Sequence, residues 1–131
     1  ESVNHKILLN IIQRKIRDKK VIWLIRLILN HFSKNKGMPL GNLTSQFFAN
    51  VYLNELDYFI KHKLKAKYYI RYVDDFIILN KNKQILESNL ITIKKYLTTL
   101  RLELHQDKSK ITPLSKGITF LGYKNLHIIG Y

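Results

Sequence analysis

Apolar residues at Val3, Ile7, Leu8, Ile11 and Ile12 recur at helical spacing behind a candidate N-cap at Ser2 or Asn4, and predict a first helix ending near Arg17. Residues 21–32 are apolar almost all round, which predicts a buried second helix with Trp23 as its largest anchor. Residues 33–41 hold Asn35, Gly37, Pro39 and Gly41, turn chemistry that a helix does not tolerate. Thr44 or Ser45 then caps a third helix carrying Phe47, Phe48, Val51, Leu56, Phe59 and Ile60. At Tyr68 the period changes. Residues 68–73 and 76–79 are β-rich runs interrupted only by Asp74 and Asp75, a hairpin with acid at its tip. Leu86, Leu90, Ile93, Leu97 and Leu100 step by four and three, the strongest helical signal in the chain, over roughly residues 82–100, and the opposite face carries Lys83, Lys94 and Lys95. Leu102, Leu104 and Ile111 predict a strand around a loop, and residues 118–123 with 126–129 a last hairpin. Helices followed by hairpin, helix, strand and hairpin predict an α+β fold, with helices packed on one face of a small antiparallel sheet.

Composition narrows what such a fold is for. With 131 residues the chain has the length of one domain, by the prior of about 100–200 residues per domain, and with 46% apolar residues it can bury a core. Twenty-three Lys and Arg against nine Asp and Glu give +14, which points to a polyanion or an anionic surface as partner. The absence of cysteine excludes a disulfide framework, a thiolate zinc site, an iron–sulfur cluster and a cysteine nucleophile, and gives no sign of an oxidising compartment. The longest apolar run, residues 21–29, is interrupted by Arg26 and is about half the length that crosses a bilayer, so no membrane span is expected. No signal-peptide layout opens the chain, and its start at Glu1 suggests an excised piece of an intracellular protein.

Asp74 and Asp75 are costly where they stand, because charges ~5 Å apart at an effective dielectric near 20 repel by about 3 kcal/mol. Two readings offset that cost. Water screens both charges at a solvated tip, or the pair supplies hard oxygen ligands to Mg²⁺, which takes one or two carboxylates and fills its shell with water and substrate phosphates. In a chain this basic, carboxylate-held metal beside a polyanion site is a signature of nucleotidyl transfer.

The run Tyr72-Val73-Asp74-Asp75 closely resembles the catalytic hairpin of reverse transcriptases. Four residues alone are a weak match, and order strengthens it. Upstream, residues 37–46 (Gly-Met-Pro-Leu-Gly-Asn-Leu-Thr-Ser-Gln) are similar to the family's loop and helix beneath the incoming nucleotide. Downstream, residues 102–109 resemble its strand and lysine-bearing loop, and residues 117–123 the hairpin that grips the primer end.

The resemblance implies a partial reverse transcriptase domain over residues 1–131, the polymerase palm with part of its finger–palm junction and without most of the fingers and thumb, acting on an RNA template, a DNA or RNA primer and dNTP. It implies Asp74 and Asp75 as ligands of Mg²⁺ or Mn²⁺, Tyr72 beneath the primer terminus, Lys108 shielding or protonating the pyrophosphate with Lys110 as alternative, Pro39, Leu40, Gly41, Ser45 and Gln46 at the nucleotide, and Leu121, Gly122 and Tyr123 at the primer. The family's first metal-binding aspartate is expected about six residues before Glu1, so this piece alone is expected to be inactive. Glycine in the 37–45 loop admits close approach of backbone to nucleotide, and the helix behind it favours anions. Leu40 and Gln46 depart from the commoner Gln and Pro and resemble the enzymes of diversity-generating retroelements, which work with a small basic partner. Leu40 cannot hydrogen-bond a nucleotide, which leaves discrimination there to shape and predicts low fidelity. The resemblance places the protein in a bacterial or phage-infected cytoplasm. His5, His31, His62, His105 and His127 match no zinc spacing.

Two other readings compete. A group II intron-like reverse transcriptase predicts Gln at position 40. A non-catalytic RNA-binding module shares the small sheet, aromatics and basic surface but has no use for Asp74 and Asp75.

Overall fold

The computed structural model describes residues 3–32, 37, 43–105, 109–120 and 123–125. The chain divides into two compact units, one of Glu1–Glu55 with Thr99–Leu102 and one of Leu56–Thr98 with Glu103–Tyr131. Secondary structure is mixed, with four α-helices and two antiparallel β-hairpins among the described residues, an α+β fold.

In the first unit, α1 (His5–Gln13) starts where the Asn4 side chain accepts the Ile7 N–H at 3.1 Å, a cap legible in the sequence. It ends at Gln13 rather than near Arg17. Its apolar stripe of Leu8, Leu9, Ile11 and Ile12 is buried, and it packs on α2 (Lys19–Phe32). Asp18 starts α2, its carboxylate accepting the Lys20 and Val21 N–H groups. The second helix is not buried all round. Ile22 and Leu29 are buried, whereas Trp23 is 63% exposed and Leu24 and Leu27 also face outward. A helix against one partner buries one stripe, and Trp23 lies about 100° around the axis from Ile22.

His5 is buried, its Nε2–H donating to the Gly37 carbonyl at 2.8 Å, and the Gly37 N–H in turn donates to the Val3 carbonyl. Gly37 holds a φ of 91°, a conformation open to glycine and costly for other residues. α3 (Leu43–Tyr58) carries fully buried Tyr52, whose hydroxyl donates to the Leu100 carbonyl.

The second unit begins as α3 widens into a π-helical turn, Phe59–Lys63, closed by the Leu64 N–H donating to the Phe59 carbonyl at 3.1 Å. A hairpin follows, β1 (Tyr68–Tyr72) against β2 (Asp75–Leu79), then α4 (Lys83–Thr99), capped by Asn82. Leu86, Ile93 and Leu97 are buried, as the four-three spacing predicts, and the Phe59 and Tyr96 rings stack at 3.9 Å and nearly parallel. Residues 102–105 and 109–113 form no strand, contrary to expectation: Leu102, Leu104 and Ile111 are only half-buried and have no ladder partner among the described residues. The final hairpin falls earlier in the chain than predicted. β3 (Ile118–Phe120) pairs with β4 (Tyr123–Asn125), so the chain reverses before Tyr123. The expected strand at 126–129 lies outside the described residues.

Candidate active site

The site is built on the first hairpin. In its register Tyr72 faces Asp75, leaving Val73 and Asp74 as a two-residue turn. Asp75 therefore opens β2, one residue earlier than the β-rich run suggests. Tyr69 and Arg71 are half-buried on one face, while Tyr68, Ile70 and Tyr72 are exposed on the other. Val73 takes a φ of 53°, a left-handed conformation that costs a β-branched residue about 1–2 kcal/mol.

The strained turn is tied to α3. Arg71 grips Asp57 with both prongs of its guanidinium, Nε to Oδ1 at 2.7 Å and Nη2 to Oδ2 at 2.6 Å, and its Nη1 donates to the Val73 carbonyl at 2.6 Å. The Tyr69 hydroxyl donates to Asp57 Oδ1, also at 2.6 Å. Burial pushes the Asp57 carboxyl upward, but hydrogen bonds from Arg71 and Tyr69 and the Arg71 charge outweigh it and hold the group below the ordinary 3.8. Tyr69 moves the other way: burial, then the adjoining carboxylate, raises its hydroxyl far above the usual tyrosine range, so it stays a donor. Arg71 is raised chiefly by its hydrogen bond to Asp57.

A lowered carboxyl gives the clamp a defined acid limit. Its stability is fully present above pH 3.8 and is lost as pH falls through the lower folded value. Acid titration of unfolding is expected to show this loss below pH 4, and Asp57→Asn to remove that component. An unchanged titration in Asp57→Asn refutes the assignment.

Asp74 and Asp75 are exposed, and water screens their mutual repulsion. Both line a cleft of about 270 Å³ floored by Ile78 of β2 and by Leu90 and Ile93 of α4. Glu103, Ser109 and Lys110 stand on its rim. Neither aspartate has an ion-pair partner among the described residues. No three His, Cys, Asp or Glu side chains come together among the described residues in a way that could hold a metal. The pair fits magnesium as a partial ligand set, since that ion takes one or two carboxylates and completes its octahedron with water and phosphate oxygens.

Of the other expected site residues, Tyr72 is exposed on β1 beside the turn, and Ser45 and Gln46 lie in the first turn of α3. Tyr123 opens β4. Pro39, Leu40, Gly41, Lys108, Leu121 and Gly122 lie outside the described residues. Lys110, the alternative to Lys108, is on the rim of the cleft. Sequence reasoning missed the Asp57–Tyr69–Arg71 network and Glu103. The available signal was Arg71 itself, a cation at an inward position between aromatics that demands a partner. No helix among the described residues is long and apolar enough to cross a membrane.

The sequence is similar to those of known proteins. Over 76 residues the chain is 36% identical to the uncharacterized 91 kDa protein in cob intron of Schizosaccharomyces pombe, covering 52% of this chain and 9% of that protein. It is 26% identical to the group II intron-encoded protein LtrA of Lactococcus lactis subsp. cremoris over 194 aligned residues, covering 94% of this chain and 32% of LtrA. That stretch is longer than the chain, so LtrA carries insertions there that this chain lacks. The chain spans between 9% and 32% of these relatives' length. The family described as reverse transcriptase (RNA-dependent DNA polymerase) matches residues 1–125. With an acid-tipped hairpin over a cleft and a family match along nearly its whole length, the chain belongs to the reverse transcriptase family.

Proposed function

We propose that residues 1–131 form the palm portion of an RNA-directed DNA polymerase that adds dNTPs to a primer 3′-hydroxyl on an RNA template. The observation that carries this reading is the placement of Asp74 and Asp75, free of ion pairs among the described residues, on the wall of the cleft. In the reaction the primer oxygen bonds to the α-phosphorus and pyrophosphate leaves. Mg²⁺ or Mn²⁺, when bound, neutralises phosphate charge and favours deprotonation of the primer hydroxyl. Asp74 and Asp75 supply oxygens to hold it, Lys110 or Lys108 supplies positive charge for the leaving pyrophosphate, and Tyr72 supports the primer end. Ser45 and Gln46, with Pro39, Leu40 and Gly41, would bind the nucleotide, and Leu121, Gly122 and Tyr123 the primer.

Primer extension on an RNA template by the full-length protein tests the proposal. Template-dependent DNA synthesis that needs divalent metal is expected. Duplex binding without synthesis under any divalent metal favours the RNA-binding module.

Two subtypes divide the support. Leu40 and Gln46 favour a low-fidelity diversity-generating enzyme with a small basic partner in a bacterial or phage-infected cytoplasm, while the intron-encoded relatives favour a group II intron-like enzyme. On the first reading Leu40→Gln restores a polar contact and lowers misincorporation by about tenfold, measured by sequencing the cDNA. An unchanged error spectrum leaves the intron-like reading.

A further inference from the structure

The fork between β1 and α3 does more than join two elements. Its third prong ends on the Val73 carbonyl, in the peptide that links Val73 to Asp74. Rotation of that peptide turns the Asp74 side chain, so whatever fixes the carbonyl aims the carboxylate. Packing does not fix it, because Val73 is 50% exposed. Its φ of 53° is one that a valine leaves unless held. The Arg71 guanidinium is well placed to hold it: the Arg71 side chain is only 12% exposed, and Asp57 is itself pinned by the Tyr69 hydroxyl.

Resting on the polymerase reading above, we propose that Arg71 and Asp57 are positioning residues that keep the Val73 turn left-handed and thereby set the direction of Asp74 and Asp75. Neither touches substrate. The fork requires arginine, since lysine offers a compact ammonium that cannot span both Asp57 oxygens and the Val73 carbonyl in one plane. A partly buried ion pair is weak evidence for stability and is better suited to enforcing one geometry, which is the role assigned here.

The test uses the full-length polymerase and compares Arg71→Lys, Asp57→Asn, Val73→Asn and the combination of Arg71→Lys with Val73→Asn. Misaimed ligands lower kcat by about 100-fold in Arg71→Lys. The KM for dNTP and the Kd for template–primer stay within about twofold, because binding common to ground and transition states is untouched. Asparagine tolerates the left-handed conformation, so Val73→Asn in the Arg71→Lys background regains about tenfold in kcat, a recovery absent in the wild-type background. Asp57→Asn reproduces the kcat-selective loss and carries the same test should Arg71→Lys fail to fold. The proposal is overturned if Arg71→Lys and Asp57→Asn each keep kcat within about threefold. It is overturned equally if their losses follow melting temperature and duplex affinity together, or if Val73→Asn acts alike in both backgrounds. Wild type and Asp74→Asn, run alongside, separate the two claims: no RNA-templated synthesis by the wild type refutes the polymerase reading, synthesis by Asp74→Asn at the wild-type rate refutes the role of Asp74 and with it the clamp, and a silent Asp74→Asn beside an unaffected Arg71→Lys refutes only the clamp.

Discussion

Asp74→Asn in the full-length protein is expected to lower RNA-templated primer extension by about 10³-fold or more, with template–primer affinity within about twofold of wild type. Asparagine keeps the size and shape of the side chain, so the turn and its bond to Arg71 are retained. What disappears is one negative charge at the cleft, and with it an anionic oxygen for a hard cation. A ligand worth several kcal/mol in the transition state, at about 1.4 kcal/mol per factor of ten, sets the magnitude. Duplex affinity comes chiefly from basic side chains on phosphates and is expected to persist. Wild-type extension rates in Asp74→Asn across a magnesium titration overturn the assignment.

Ile93→Ala is expected to cost about 2–5 kcal/mol of stability. Ile93 is 2% exposed and floors the cleft between β2 and α4, so truncation removes apolar contacts and leaves a void that the hairpin above fills only in part. Ile91, on the same helix and 58% exposed, is the matched control, and Ile91→Ala is expected to change stability by less than about 0.5 kcal/mol. Thermal melting of the two variants of the full-length chain checks the contrast. Equal melting temperatures refute the packing described for α4.

How far the sequence disclosed this arrangement depended on whether the signal was local. The four-three spacing of Leu86, Ile93 and Leu97 fixes a helix face whatever lies against it, and the acid pair between two β-rich runs marks a reversal. The Asn4 cap is likewise a local bond. Trp23 was misjudged because spacing shows that a residue is apolar, not whether enough partners exist to cover it. Leu102 and Leu104 alternate as in a strand but have no ladder partner among the described residues, which no local pattern reveals. Arg71 could be seen to need an acid, yet nine candidates existed, and the choice of Asp57, 14 residues away, was made by the docking of β1 on the end of α3.

The interleaving of the two units has a consequence for biosynthesis. Glu1–Glu55 leaves the ribosome well before Thr99–Leu102, the segment that completes its unit and supplies the Leu100 carbonyl to Tyr52. Until that segment emerges, the Tyr52 hydroxyl has no acceptor of its own, and burying it unsatisfied costs about 1–3 kcal/mol. The segment Glu1–Glu55 must therefore wait while the acid-tipped hairpin and α4 are translated. A nascent chain stalled at Glu55 would be exposed to proteases and chaperones in a way that one stalled past Leu102 is not.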